Sequence, residues 1–224
     1  MNTLVNIIKP GNFGKSVAAD TRRVEFDFLN EQLIYMKKEI DYLFIGDSIT
    51  HMWALDVYFP TEKCLVNRGI GGDTSTYMLK RFDADCIQLK PKKAIIMIGT
   101  NDMLTTAPDL WWKIPGADVE TVLNTYKSNI MQTISKCDNA GIEPILCSVL
   151  PSKLAPSFDR EHFWKLTKTI NDFLQSQNRA YVDYHSVLAE NNVSLPDYLS
   201  PDGIHPNAEA YRIMSEVLKK TLEF

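Results

Sequence analysis

Apolar residues fall into two alternating patterns along the chain. Short unbroken runs at 42–45, 64–66, 94–98, 144–149 and 180–182 are rich in β-branched or bulky side chains. Runs of this size suit strands buried on both faces. Between them, apolar positions recur at helical spacing. Segment 21–38 carries Val24, Phe28, Leu29, Leu33 and Met36 as one stripe. Segment 73–89 opens on Asp73-Thr74, a cap signal, and carries Met78, Leu79, Phe82 and Cys86. Segment 118–139 repeats Val122, Leu123, Tyr126, Ile130 and Ile134 before a stop at Ala140-Gly141. Segments 159–177 and 207–222 complete the helical set. Alternation of this kind predicts an α/β protein: a parallel sheet in a three-layer α/β/α sandwich, joined by right-handed crossovers. Ligands of such sheets bind beyond the carboxyl ends of the strands.

Composition narrows the class without naming a function. The 224 residues are 45% hydrophobic and 23% charged, with a net charge of −4. With no internal repeat or low-complexity linker, the sequence reads as an N-terminal arm, 1–20, and a single domain, 21–224. The mild acidity gives no electrostatic reason to expect nucleic acid as a partner. The longest apolar run, 94–98, is far short of the roughly 20 residues that span a bilayer, so no membrane insertion is expected. The first ten residues lack a basic lead and a small-residue cleavage site, and a cytoplasmic protein is expected. Cys64, Cys86, Cys137 and Cys147 show no CxxC spacing and read as small hydrophobes in a reducing compartment.

Chemistry-bearing residues collect at the expected strand ends. The first run leads into Gly46-Asp47-Ser48, which presents a serine hydroxyl at the mouth of a helix, where backbone N–H groups converge. The bare tripeptide is equally an ordinary strand-to-helix turn. The second run ends in Asn67-Arg68-Gly69-Ile70-Gly71-Gly72-Asp73-Thr74. A dinucleotide fingerprint would need glycine at Thr74, which leaves a tight turn or an amide, that of Gly72, aimed at a developing oxyanion. The third run ends in Gly99-Thr100-Asn101-Asp102, where the Asn101 carboxamide can donate into the same space or tie its own loop. Finally, Asp202-Gly203-Ile204-His205-Pro206 precedes the last helix, with a carboxylate three positions before a histidine that Pro206 holds extended. Asp202 could hold Nδ1–H of His205 while Nε2 faces a serine. No second His or Cys stands at ligand spacing, so neither a metal nor a cofactor is expected. Together the blocks hold nucleophile, base, orienter and donors, the inventory for acyl transfer.

These four blocks, in this order from about Asp41 onward, resemble those of the SGNH (GDSL-type) hydrolases. Asn-Arg-Gly-Ile-Gly-Gly-Asp-Thr and Ile-Gly-Thr-Asn-Asp are similar to the branch containing platelet-activating-factor acetylhydrolase subunits and bacterial acetyl esterases. Ile49 stands where the family name has leucine. The resemblance implies a flavodoxin-like sandwich with a five-stranded parallel sheet. It also implies Ser48 as nucleophile, an oxyanion hole of Ser48, Gly72 and Asn101, and an Asp202–His205 pair.

Other features have weaker meanings. Gly14-Lys15-Ser16 is no phosphate loop, because Lys9 occupies the position of its first glycine. Asp47 is read as structural, bonded to loop backbone. Trp53 and Tyr58 are read as core residues on the helix of Ser48. Trp111 and Trp112, in a proline-bounded loop, could wall a small acyl or sugar pocket, pack the loop down or make a dimer contact. Lys153 is read as a solvated loop lysine. The expected protein is a serine esterase that removes a short acyl group, acetyl in the leading reading, from a small alcohol or sugar. A lysophospholipase or thioesterase, or a silent binding subunit on the same fold, is the alternative. Its expected partner is a small-molecule ester, with homo-oligomer formation left open.

Overall fold

Each strand carries apolar side chains at consecutive positions, and the computed structural model shows where the two sets go. It describes residues 6–14, 18–108, 116–153, 160–191 and 194–222. In chain order the elements are α1 (Ala18–Tyr35), β1 (Tyr42–Gly46), α2 (Ser48–His51), α3 (Leu55–Tyr58), β2 (Leu65–Gly69), α4 (Ser75–Asp85), a 3₁₀ turn (Ile87–Leu89) and β3 (Lys93–Met97). They continue with α5 (Thr100–Leu104), α6 (Val119–Ala140), β4 (Glu143–Cys147), α7 (Arg160–Gln175), β5 (Ala180–Val182), α8 (His185–Leu188) and α9 (Ala208–Leu222). All strand pairs are parallel, in the order β2-β1-β3-β4-β5. The expected five-stranded sandwich is therefore the observed one.

The period of two along each strand divides the core. Leu43, Ile45, Ala94, Ile96 and Leu146 enter one apolar layer with Met78 and Phe82 of α4, Tyr126 and Ile130 of α6, and Ile170 of α7. Phe44, Ile95, Met97, Ile145 and Val182 enter the other with Trp53, Leu188, Tyr211 and Met214. Residues i and i+1 of a strand point to opposite faces, so a continuous apolar run is what a doubly covered strand requires.

Helix ends follow their local chemistry. Asp118 caps α6 by accepting from Thr121 N at 2.8 Å, and Gly141 ends that helix at φ 70°. The segment beginning at Asp73 behaves differently. Its helix starts at Ser75, and the cap comes from far along the chain: Asp102 Oδ2 accepts from Ser75 N at 2.8 Å and Oδ1 from Ser75 Oγ at 2.5 Å. The segment then breaks at Cys86, and Ile87–Leu89 form the separate 3₁₀ turn. The four cysteines are free thiols, with Cys64 alone only half-buried.

The expected apolar stripe of α1 is the main departure. Val24, Phe28 and Met36 are 50%, 62% and 71% exposed, and the helix instead buries Arg23, Phe26 and Asn30. An ionic cluster beneath it supplies the reason. Arg23 pairs with Asp85 at 2.7 Å and with Asp27. Asn30 donates to Asp85 Oδ1 at 3.1 Å and accepts from Arg68 at 2.8 and 3.0 Å. The guanidiniums of Arg22 and Arg68 lie over the Phe26 ring, 5.1 and 4.8 Å from its centre. Such polar groups, once buried, cost several kcal/mol each if left unpaired, which outweighs the burial of a few exposed apolar side chains.

Arg81 is the centre of that cluster and is fully buried. It donates to Asp73 at 2.7 Å, Asp85 at 3.1 Å, the Arg68 carbonyl at 2.8 Å and the Gly46 carbonyl at 3.1 Å. Replacing Arg81→Ala strands the buried Asp73 carboxylate and leaves Asp85 with Arg23 and Asn30 alone, and urea unfolding is expected to show a loss of about 3–5 kcal/mol. Arg212→Ala, which breaks the exposed pair with Glu209, leaves the urea midpoint unchanged.

Candidate active site

Three strand-end loops and the turn before α9 converge at the carboxyl edge of the sheet. β1 ends at Gly46, and Asp47 caps the single turn of α2 by accepting from Ile49 N at 3.0 Å. Ser48 is thereby the first residue of a helix. The helix stops at His51, so Trp53 and Tyr58 lie beyond it rather than on it. Trp53 is buried, and its Nε1 donates to Ser215 Oγ at 3.2 Å; Tyr58 donates to the Ala208 carbonyl at 3.0 Å. Tyr211 donates to the Ile49 carbonyl at 2.8 Å. These bonds clamp α9 against the serine turn.

That clamp brings the distant histidine into place. Ser48 Oγ lies 2.9 Å from His205 Nε2 across 157 positions of sequence. His205 Nδ1 lies 2.6 Å from Asp202 Oδ2, while Asp202 Oδ1 accepts from the Ile204 and His205 amides at 2.9 and 2.8 Å. One carboxylate thus holds both ring and backbone of the histidine. Gly203 makes the turn possible: its φ is +80°, and a Cβ there would meet the Lys153 carbonyl oxygen at 2.1 Å. The Lys153 amide donates to the Gly203 carbonyl at 2.7 Å, and its ammonium pairs with Asp197 at 2.6 Å. Lys153 therefore steadies the histidine turn through its backbone.

The glycine loop after β2 lies alongside. A Cβ on Gly71 would stand 3.7 Å from Ser48 Cβ and 3.8 Å from His51 Nδ1. The Asp73 amide donates to the Ile70 carbonyl at 3.2 Å, and Gly72 takes φ +81° within that turn. Asn101, on α5, donates from Nδ2 to the Asp73 carbonyl at 2.8 Å. A carboxamide nitrogen has two N–H bonds, so one anchors the side chain beside the Gly72 turn and the other is left over. Among the described residues, neither the Ser48 nor the Gly72 amide donates to another group. Trp111 and Trp112 fall outside the described residues.

Electrostatics around the serine are uneven. Partial burial pushes the Asp202 carboxyl up, but hydrogen bonds from His205 and the Ile204 amide outweigh it and hold the group well below the usual carboxylate range. Asp47 is the opposite case. Complete burial raises its carboxyl to about 7, offset by the Ile49 amide and reinforced by the charges of Asp102 and Asp73. Burial raises Asp102 to about 6 against its bonds from Ser75.

Two site features had no signal in the sequence. Arg22 Nη1 lies 2.5 Å from His51 Nε2, and burial together with the Arg22 charge lowers the histidine, favouring a neutral acceptor ring. Arg81 holds the Gly46 and Asp73 ends of both site loops. Contacts between residues 29 and 35 positions apart have no local pattern to betray them.

Residues 44–213 match the model of the GDSL-like lipase/acylhydrolase family. The chain belongs to that family. The alpha2 subunit of human platelet-activating factor acetylhydrolase IB is 34% identical over 80 residues, 33% of this chain and 34% of that protein. The chain thus matches about a third of the length of that curated relative. A GDSL-like lipase from Bacteroides thetaiotaomicron superposes with TM-score 0.69 at 27% identity, covering 88% of this chain and 98% of the other. The acetylxylan esterase Axe2 of Geobacillus stearothermophilus shares the fold, with TM-score 0.62 at 21% identity over 83% and 94% of the two chains. Membership of this GDSL-like family supports serine ester hydrolysis. Among the described residues, no helix is long and apolar enough to cross a membrane.

The raised Asp47 carboxyl has a measurable sign. A buried acid whose folded value lies above its unfolded value stabilises the protein below about pH 4 and loses that contribution as pH rises through about 7. Asp47→Asn keeps the acceptor for Ile49 N but cannot ionise. Its stability relative to wild type is expected to improve by about 1.4 kcal/mol per unit between pH 5 and 7, then level off. Parallel urea titrations across that range check the slope, and a difference that stays flat contradicts it.

Proposed function

We propose that the protein is a serine ester hydrolase that removes short acyl groups, acetyl foremost, from small alcohols or sugars. The hydrogen-bonded chain Ser48–His205–Asp202 carries this reading. Ser48 Oγ attacks the ester carbonyl carbon as His205 Nε2 takes its proton, and Asp202 holds Nδ1–H and stabilises the imidazolium. The carbonyl oxygen becomes an oxyanion received by the Ser48 and Gly72 amides and the spare N–H of Asn101. Collapse breaks the ester bond, and His205 returns the proton to the leaving alcohol. Water, deprotonated by His205, then attacks the acyl-serine, releases the carboxylic acid and restores Ser48.

The acyl preference is supported by two similar proteins named for acetyl esters, an acetylhydrolase subunit and an acetylxylan esterase. Both are named for removing the smallest common acyl group, and one acts on a carbohydrate.

A fluorophosphonate is expected to label wild type at Ser48 and to leave Ser48→Ala unlabelled; an unlabelled wild type would mark a silent binding subunit. Asn101→Ala is expected to lower kcat by about 10²–10³ with little change in KM, because the donor acts on the transition state. On p-nitrophenyl esters of increasing chain length and on acetylated sugars, kcat/KM should be greatest for acetyl. A maximum at long chains would instead assign a lysophospholipase or thioesterase.

A further inference from the structure

A groove outside the serine site has its own chemistry. Trp164, Lys168, Asn171, Asp172 and Gln175, one face of α7, form one wall. Tyr181, Asp183 and His185, from the end of edge strand β5, form the other around a volume of about 330 Å³, within the range of small-ligand sites. From Trp164 to Gln175 the helix advances about 16 Å, so the groove is elongated.

Its position relates it to the serine. Asn171 spends its side chain on main chain just past β4, accepting from Val149 N at 2.8 Å and donating to Val149 O at 3.0 Å. The last third of α7 is thereby fixed level with the strand ends, and Trp164, seven residues earlier, stands about 10 Å farther out on the edge that carries Ser48. β5 is three strands from β1, about 14 Å at normal strand spacing. An adjoining face of α7 meets the helix of Asn101, where Thr167 Oγ1 approaches Met103 Sδ at 3.4 Å. One helix therefore borders both places.

The lining selects a ligand class. Lys168 pairs with Asp172 at 2.6 Å, and Asp183 caps α8 by accepting from Ser186 N at 3.0 Å. A polyanion would face two carboxylates against one ammonium, and an alkyl chain would desolvate the ion pair and the Gln175 amide without replacing their bonds. Burial keeps the His185 ring neutral, and its Nε2 has no hydrogen-bond partner among the described residues. An indole with amide, phenol, imidazole and carboxylate groups suits a molecule with apolar C–H faces and a rim of hydroxyls.

We propose that this groove binds neutral saccharide, seating the sugar chain of an acylated oligosaccharide whose ester lies at Ser48. The binding half stands alone; the link to Ser48 rests on the esterase reading. Unacylated xylotetraose and cellotetraose, titrated into the intact protein by calorimetry and followed by the Trp164 indole resonance, are the probes. Binding of at least one of them is expected, with a shift of that resonance and at least about tenfold weakening in Trp164→Ala. Gln175→Ala, at an exposed position, is the second variant and should also weaken binding. Both variants should hydrolyse p-nitrophenyl acetate at the wild-type rate, but show a raised KM and unchanged kcat on an acetylated xylo-oligosaccharide. No heat and no Trp164 shift with either sugar, or equal affinity in both variants, overturns the site. Sugar binding without hydrolysis of any ester would retain the groove and remove the esterase reading.

Discussion

A guanidinium shut away from water must find acceptors for its N–H bonds or destabilise the fold, and much of this molecule is arranged around one such group. Arg81 reaches a carboxylate at the start of its own helix, another at the end, and the carbonyls closing β1 and preceding Gly69. Those carbonyls lie at the ends of β1 and β2, which lead into the loops that carry Ser48 and Gly72. The cluster is nearly balanced in charge, with Arg23, Arg68 and Arg81 facing Asp27, Asp73 and Asp85. Burial lowers Arg68 to about 10, a measure of how little solvent reaches it. Rigidity at the serine edge therefore has an ionic foundation, whereas the rest of the sheet is held by apolar layers.

This division explains what was legible beforehand. The strands could be read because doubly covered strands demand continuous apolar runs, and the runs at 42–45, 94–98 and 180–182 coincide with β1, β3 and β5 to within a residue. Helix α6 was legible because Asp118 and Gly141 mark its ends by local chemistry. The orientation of α1 was not. A stripe of Val24, Phe28 and Met36 is indistinguishable from a core face until the bonds of Arg23 and Asn30 to Arg68 and Asp85 are known, and those partners lie 38 to 62 residues away.

The serine edge shows the same contrast. Gly46-Asp47-Ser48 and Asp202-Gly203-Ile204-His205 could be recognised because each is a compact turn whose residues act on their neighbours: Asp202 on His205, Asp47 on Ile49. Asp102 and His51 gave no such warning. One caps a helix that begins 27 positions earlier, and the other accepts from an arginine 29 positions earlier. The length of Ser48's helix was also hidden, since its end after one turn depends on packing rather than on a local stop residue.

The distance along the chain between Ser48 and His205 has a consequence for synthesis. Translation proceeds from the amino terminus, so the serine emerges 157 residues before the ring with which it shares a hydrogen bond. β1 and its flanking helices can assemble early, but the Ser48 hydroxyl then lacks its His205 partner. Only when the Asp202–His205 turn docks, with α9 fastened by Tyr211 and Trp53, does Ser48 Oγ gain its imidazole partner. On the proposed mechanism, esterase competence in a growing chain is thus a late event, and a molecule whose carboxyl-terminal helix fails to dock is silent toward esters however well its sheet has formed.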